Sequence, residues 1–395
     1  MPDPYGTRLP PLSPPPGADA EGGYDEARLD SGQPREVWRA LLTHLQSTPE
    51  LLGQLGEEAG RLLRESGVTY NVFDAHRGGR QIWPFDPVPL ILDGAQWRDL
   101  EYGIRQRHRL LTLLFRDLHG PRQTLSQGLL PPDLFFSRPG ISLARFPGVG
   151  AAVTPLSLYG VDLIRAPDGR HLAVSDRVQA PSGLGYVLQN RRITNRVYAD
   201  SGLFNRVPTL LPFFRQMRSG LVSLSPYSKA NAHAVLLTPG PANETYYEHA
   251  LLAHFLGLTL VQGDDLTVRS GRVCLKTLHG LMPVEVILRR VDEAWCDPLE
   301  QREDSLLGVV GLTHAQRTGR VALANALGSG VLENLALHAY LPHLAEALLG
   351  EPLALESPAT WWLGDAAQRR AVANRLGDLD LLPVGDALGL VVADG

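Results

Sequence analysis

The sequence predicts an α/β protein, because helical apolar spacing early in its 395 residues gives way to short apolar runs separated by turns. The clearest unit places a buried run at 234–237, a helical stretch at 244–256 and another apolar run at 259–262. This is the order of a βαβ unit, which joins parallel strands. We therefore expect N-terminal helices, a hairpin-rich middle segment and a Rossmann-like parallel or mixed sheet.

The N-terminal part of the chain is predicted to be helical. Trp38, Leu41 and Leu45 recur at helical spacing, and a second apolar stripe covers 52–63. A long helix is predicted over 97–118, with glycine and proline directly after it. Its arginines are expected on the solvated face: Arg105, Arg107, Arg109 and Arg116.

Apolar runs on either side of turn sequences predict hairpins further along the chain. One hairpin is expected from the runs 158–164 and 171–174, and another from 266–269 and 273–276. A buried strand is predicted at 284–288, beyond the second hairpin.

Changes in composition divide the chain into five predicted segments. The first 20 residues hold seven of the 31 prolines and few apolar side chains, so they cannot offset the entropy of ordering. The segments are a disordered Pro-rich tail at 1–20, a helical region at 21–130, a hairpin-rich segment at 131–225, a Rossmann-like domain at 226–345 and a truncated C-terminal segment at 346–395.

Charge and cysteine content narrow the classes of partner and location. The formal net charge of -5 gives no basic field for nucleic acid or an anionic membrane, so small-molecule and protein partners are expected. Cys274 and Cys296 form neither a C-x-x-C motif nor a Cys/His cluster, so a disulfide framework and a structural zinc site are not indicated. With no signal-peptide or membrane-span pattern, a cytoplasmic location is predicted.

A loop at 238–243 precedes the helix of the βαβ unit, where backbone amides and the helix dipole attract anions. It lacks the glycine patterns of dinucleotide and P-loop sites, which leaves a carboxylate or a single phosphate as ligand. Substrate contacts are predicted for Asn243, Tyr246, Glu248 and His249. The alternative, a half-buried helix face with a first-turn glutamate, is equally open.

Charged residues also follow the strand predicted at 284–288. Arg289, Arg290 and Asp292 stand at its carboxyl end, where open α/β sheets bind ligands and guanidinium groups suit carboxylate or phosphate. The alternative is a surface salt bridge. The glycine-bearing turn 325–333 is interpreted as either a plain loop or an anion site, and it contains no nucleophile elbow.

Several strings occur in order along the chain: LLRESGVTYNVF at 62–73, GVDL at 160–163, APSGLGY at 180–186, LLTPGPANETYYEH at 236–249, ILRRVD at 287–292, NALGSG at 325–330 and ATWW at 359–362. With these strings the chain resembles the circularly permuted ATP-grasp proteins of type 2. The resemblance implies a carboxylate–amine ligase, in which ATP phosphorylates a carboxylate and an amine attacks the acyl phosphate.

The resemblance implies roles for particular residues. Arg289, Arg290 and Asp292 would act in catalysis on a small peptide-like or amino-acid substrate. ATP would lie near Ser182, Gly183, Asn190 and Arg191. Divalent metal on the phosphates, here Mg²⁺, would neutralise developing charge.

The metal position departs from the family pattern of an Asp followed by a Glu and an Asn. Asp162 matches the Asp, but Ser175 stands in the Glu position and Arg177 in the Asn position. Asp162 and Asp176 are therefore the predicted metal ligands, with Asp176 as a substitute.

The C-terminal lobe departs as well, because no lysine follows Lys276 to clasp ATP. These departures predict a protein partner that supplies the missing functions, and the alternative is a non-catalytic pseudoenzyme that serves as a binding or regulatory module.

Overall fold

The computed structural model describes residues 23–48, 50–72, 79–136, 154–205, 207–227, 232–384 and 390–394. The tail predicted at 1–20 lies outside these residues. The helices are α1 Glu36–Leu45, α2 Leu51–Glu65, α3 Gly94–Leu118, α4 Gln123–Ser126, α5 Asp133–Phe136, α6 Leu184–Val197, α7 Leu211–Ser223, α8 Tyr246–Leu256, α9 Leu312–Arg317, α10 Leu341–Leu349 and α11 Ala366–Val372.

Fourteen strands are interspersed among these helices in the described residues. They are β1 Thr69–Val72, β2 Gly79–Ile82, β3 Gly160–Arg165, β4 His171–Arg177, β5 Ala234–Leu237, β6 Thr259–Val261, β7 Leu266–Arg269, β8 Arg272–Thr277, β9 Gly280–Pro283, β10 Val286–Arg289, β11 Ala322–Ala324, β12 Thr360–Trp362, β13 Leu379–Pro383 and β14 Leu390–Asp394. The predicted α/β class is confirmed.

A four-stranded parallel sheet supports the site described below, which lies at its carboxyl edge. Its strand order is β11-β10-β5-β6, and each neighbouring pair runs parallel. Every residue of β5 and of β10 is buried, which explains why both strands read as continuous apolar runs. The βαβ prediction for β5, α8 and β6 is confirmed.

Helix α8 begins two residues later than the sequence predicts. The side-chain Oδ1 of Asn243 accepts hydrogen bonds from the backbone N–H of Thr245 at 3.0 Å and from its hydroxyl at 3.0 Å. This turn is the local geometry that Asn favours outside helices, so Asn243 and Glu244 stay in the loop. Thr245 is the N-cap.

The main core joins α3 to the parallel sheet. Leu110, Leu114 and Leu118 of α3 belong to the same buried cluster as Val235 and Ile287 of the sheet. Truncating a leucine at such a position to alanine costs about 2–5 kcal/mol in other proteins, so this cluster holds the sheet rigidly under the site.

The prediction of solvation is wrong for Arg107, which is fully buried. Arg107 lies three positions before Leu110 and four before Leu111, on the apolar stripe of α3, and a buried carboxylate pairs with it.

The segment predicted to be hairpin-rich holds two further helices. The hairpin β3–β4 forms as predicted, with a bulge between Asp162 and Leu163. Helices α6 and α7 follow it, where the sequence shows a Gly/Pro-rich loop and weaker periodicity. The five segment boundaries remain predictions.

The C-terminal part forms a separate three-stranded antiparallel sheet with the order β12-β14-β13. Trp362 of β12 belongs to the main core, so this sheet packs on the rest of the molecule. Among the described residues, no helix has the length and apolarity needed to span a bilayer.

Candidate functional site

Three elements meet at the carboxyl edge of the parallel sheet. They are the loop before α6, the N-terminus of α8 and the end of β10. Glu248 of α8 accepts hydrogen bonds at Oε1 from the backbone N–H groups of Gly183, at 2.7 Å, and Gly185, at 3.0 Å. Gly183 has φ of +113°, a backbone conformation that glycine permits at low cost. The structure thus brings predicted substrate and nucleotide residues together through a carboxylate.

Arg290 completes this cluster from the end of β10. Its Nη2 lies 3.7 Å from Glu248 Oε2, and the two side chains are 2% and 0% exposed. Its Nη1 donates to the carbonyl oxygen of Pro181 at 2.6 Å. Burial lowers the pKa of Arg290, and the nearby Glu248 opposes that shift. Glu248 Oε2 and Arg290 Nε have no hydrogen-bond partner among the described residues.

His249 is enclosed between two hydroxyl groups. Its Nδ1 lies 2.8 Å from Thr238 Oγ1, and its Nε2 lies 3.1 Å from Thr245 Oγ1. Burial lowers the pKa of His249 well below its usual value, and the charge of Arg290 adds to the shift. The imidazole is therefore neutral near pH 7 and ties the loop before α8 to its own helix.

Arg289 is also used inside the fold. It donates through Nε to the carbonyl of Asn325 at 2.8 Å, through Nη1 to that of Val291 at 2.8 Å and through Nη2 to Ser329 Oγ at 3.2 Å. The side chain is fully buried. The residue predicted to act in catalysis therefore anchors the turn after β11.

The backbone amides of the turn 325–333 bind a carboxyl group of this chain. Glu293 Oε2 accepts hydrogen bonds from the backbone N–H of Gly328 at 2.9 Å and of Gly330 at 3.1 Å. A Cβ on Gly330 would lie 2.4 Å from Glu293 Oε1, so this approach requires glycine. Burial raises the pKa of Glu293 to about 7. The backbone amides of this turn are therefore occupied by Glu293, a residue of the same chain.

Two more carboxyl groups near Glu293 also have perturbed pKa values. Glu333 Oε1 accepts from the backbone N–H groups of Val178 at 2.6 Å and Gln179 at 2.8 Å. Burial raises the pKa of Glu333 above its usual value. Burial likewise raises the pKa of Asp292, against the charges of Arg289 and Arg290.

The other residues predicted to bind nucleotide hold helix α6 in place. Asn190 Oδ1 accepts from Trp83 Nε1 at 3.0 Å, and Arg191 Nη1 donates to the carbonyl of Pro208 at 3.0 Å. Ser182 is exposed at the start of the loop. Asn190 lies seven residues beyond Gly183, about 10 Å along the helix, so the four residues do not form one cluster.

The two predicted metal ligands lie on opposite faces of the hairpin β3–β4. Asp162 pairs with Ser175 across the hairpin, whereas Asp176 pairs with Val161 and points inward. Asp162 Oδ2 accepts hydrogen bonds from Ser175 Oγ and from Arg177 Nε. The described residues contain no group of three His, Cys, Asp or Glu side chains arranged to hold a metal ion. The prediction of a joint site is wrong, and the residues present do not fit Mg²⁺.

Asp176 instead belongs to a buried network that sequence reasoning missed. Arg107 donates to both of its oxygens at 2.8 Å, and His338 Nε2 and the Tyr159 hydroxyl contact it as well. Burial raises the pKa of Asp176, but the hydrogen bonds from His338 and Arg107 outweigh burial and hold it well below the usual value. In the sequence, the position of Arg107 on an apolar stripe was the available signal of this buried network. The sequence around Tyr159 and His338 gave no such signal.

Tyr246 lines a cavity on a different part of the surface. A cavity of about 170 Å³ lies between β1 and the start of α8. Asn71 Nδ2 donates to the carbonyls of Pro241, at 3.1 Å, and Asn243, at 2.8 Å, which fixes the loop above the cavity. Gly67 and Ala250 complete the lining, and most of the lining side chains are polar or aromatic: Thr69, Asn71, Glu244, Tyr246 and Tyr247.

The fold is shared with a solved structure, a glutathione synthetase-like effector from Globodera pallida. The two chains align with a TM-score of 0.58 and 12% identity, over 89% of this chain and 83% of that one. The chain belongs to the circularly permuted ATP-grasp type 2 family, whose profile matches residues 89–393. The predicted family is confirmed.

Bacterial relatives are similar over most of this chain. An uncharacterized protein of Mycobacterium tuberculosis is 39% identical over 363 residues, which is 88% of this chain and 40% of that protein. An uncharacterized protein of Synechocystis is 36% identical over 374 residues, which is 93% of this chain and 76% of that protein. The chain therefore spans about two fifths of the mycobacterial relative.

Proposed function

We propose that this chain is a non-catalytic binding component of an ATP-grasp ligase system, which binds a small peptide-like or amino-acid ligand and does not form an amide bond alone. The observation that carries the proposal is that the charged groups at the edge of the sheet are buried and bond to the chain itself. Arg289, Arg290 and Glu248 are each at most 6% exposed and bond to backbone groups of the chain.

Catalysis of acyl phosphate formation needs cationic groups that reach the transferring phosphoryl group. Arg289 donates to three carbonyls and a hydroxyl and is fully buried, so its guanidinium group does not face a ligand. Releasing it would leave those carbonyls buried without donors, which is costly. Neither Arg289 nor Arg290 is therefore exposed at this edge to the ATP and Mg²⁺ that the family generally uses.

The ligand is assigned to the cavity between β1 and α8. Its volume of about 170 Å³ suits a group of amino-acid size. Glu244, Tyr246 and Tyr247 line it, and carboxylate and aromatic side chains are groups that favour an ammonium ligand. These features support the cavity as the position of the amine end of a peptide-like ligand.

The test measures ADP release by the purified chain with Mg-ATP and mixtures of amino acids and dipeptides. The Synechocystis relative, of which this chain matches 76%, is assayed in parallel. We expect turnover by the relative alone. Release of ADP by this chain that depends on both a carboxylate and an amine would overturn the proposal.

Ligand binding is tested separately by calorimetry with amino acids, their N-acetyl derivatives and their amides. Binding is expected to need the free amine and to be lost in Tyr246→Ala. The matched control is Tyr102→Phe, which changes an exposed tyrosine on α3 away from the cavity. Equal binding of the N-acetyl compounds would refute the assignment of the amine end.

A second candidate is a ligase that becomes active with a partner chain. It is favoured by the length of the mycobacterial relative, of which this chain matches 40%. ADP release that appears only when this chain is purified together with a second polypeptide from its native host would support this candidate over the first.

A further inference from the structure

We propose that the guanidinium group of Arg177 takes the place of a divalent cation on the exposed face of the hairpin β3–β4. In this arrangement the chain binds no Mg²⁺ at Asp162, and two substitutions would convert the face into a cation site. The inference depends on the geometry of the hairpin and not on the proposed function.

Asp162 is already bonded to two neighbouring side chains. Its Oδ2 accepts from Arg177 Nε at 2.8 Å and lies 2.7 Å from Arg177 Nη2, while Ser175 Oγ donates to the same oxygen. The side chains of Arg177 and Asp162 are 44% and 48% exposed, so the pair sits where an ion from solvent would arrive. The positive charge that neutralises Asp162 is already part of the chain.

The register of the hairpin brings Asp162, Ser175 and Arg177 together on one face. Asp162 lies directly opposite Ser175, and Arg177 follows Ser175 by two residues on the same strand. Residues two apart on a strand share a face, and opposite residues in an antiparallel pair have Cβ atoms about 4.5–5.5 Å apart. The three side chains therefore converge on one spot with one carboxylate among them.

The side chains on this face do not match the ligands that Mg²⁺ prefers. Mg²⁺ prefers oxygen ligands in near-octahedral geometry and usually takes carboxylates together with waters. The side chains of Asp162, Ser175 and Arg177 offer one carboxylate, a hydroxyl and a guanidinium. Asp176 cannot add a ligand, because it points to the opposite face and both of its oxygens bond to Arg107.

The experiment measures Mn²⁺ binding, by electron paramagnetic resonance of the free ion, without nucleotide. The chain is compared with the double variant Ser175→Glu/Arg177→Asn, which puts a second carboxylate and an amide oxygen beside Asp162. We expect no binding by the chain at millimolar Mn²⁺ and at least tenfold tighter binding by the double variant. The matched control, Ser175→Glu/Arg177→Lys, keeps the positive charge and is expected to gain far less.

Two results would overturn the inference. One is Mn²⁺ binding by the unchanged chain that disappears in Asp162→Asn. The other is a double variant that has the circular dichroism spectrum and melting temperature of the parent but binds no Mn²⁺. If the double variant fails to fold, Arg177→Ala alone is used, with the expectation that Mn²⁺ binding rises above that of the parent and no rise as the contrary result. Since no nucleotide is present, failure here is distinguishable from ADP release, which bears on the proposed function alone.

Discussion

The two faces of strand β4 use neighbouring residues in opposite ways. Asp176 points inward to Arg107 and His338, and its ion pair with Arg107 is 0% and 1% exposed. Ser175 and Arg177 point outward to Asp162, in a pair about half exposed. The same kind of contact, a guanidinium on a carboxylate, is therefore a structural element on one face and a solvated pair on the other.

Burial sets the energetic difference between these pairs. An exposed ion pair gains little, because water and salt screen it and two long side chains lose freedom. A buried pair gains little over apolar packing, yet removing one partner is expensive, since the other charge stays buried alone. The comparison teaches that the face of the hairpin β3–β4 on which an aspartate lies decides whether it supports the fold, as Asp176 does, or meets the solvent, as Asp162 does.

The largest effect is expected for Arg107→Met. The substitution leaves Asp176 buried without the two hydrogen bonds from Arg107, and also removes donors to the carbonyl of Leu355 and to Ser357. We expect a loss of about 3–5 kcal/mol in the free energy of unfolding, measured by urea denaturation.

The matched control is Arg105→Ala, two residues away on the same helix. Arg105 pairs with Glu101 on the exposed surface, so its loss is expected to be far smaller. Equal losses for the two variants would show that the buried network does not stabilise the fold, and the contrast between the two faces of β4 would fail.

The second effect concerns Glu293, a buried carboxyl that is held by amides rather than by a guanidinium. Its pKa in the folded protein is about 7, above the ordinary value of 4.5. Between these values the folded state holds a proton that the unfolded state has released. Stability attributable to Glu293 is therefore full below about pH 4.5 and falls as the pH rises toward 7, by roughly 1 kcal/mol per pH unit at most.

The variant Glu293→Gln does not titrate, and its remaining oxygen still accepts from the amides of Gly328 and Gly330. The difference in free energy of unfolding between variant and parent is expected to move in favour of the variant from pH 5 to pH 8. Denaturation series at each pH measure it. A difference that stays constant over this range would mean that Glu293 titrates normally in the folded protein.

The sequence predicted the parts of the fold that depend on local pattern. The run 234–237, the helix beginning near 246 and the next strand follow from apolar spacing and chain order. β11 was missed, because three apolar residues in a glycine-bearing segment carry no strand signal of their own. α6 was missed because the Gly/Pro-rich string at 180–186 indicates a loop, whereas the helix begins inside it, at Leu184.

The candidate site was predicted less well, because residue type does not show burial. Arg289, Glu248 and His249 have the right chemistry for catalysis, and they stand at the edge of the sheet where ligands bind in open α/β folds. Arg289 and Glu248 bond to groups distant in sequence, namely the carbonyl of Asn325 and the backbone amides at 183–185. Periodicity cannot anticipate such long-range contacts.

The smallest effect is expected for Arg177→Ala. The dependence of this effect on salt concentration tests the comparison between the two faces of β4. The substitution removes an exposed partner of Asp162, so the loss in free energy of unfolding should be no more than about 1 kcal/mol. Raising NaCl from 0.05 to about 1 M shortens the Debye length to roughly 3 Å and should shrink that loss further. The loss for Arg107→Met should persist in the same salt, because solvent ions do not reach a buried carboxylate. A loss for Arg177→Ala that is large and independent of salt would place Asp162 among the structural charges, and the two faces of β4 would then be alike.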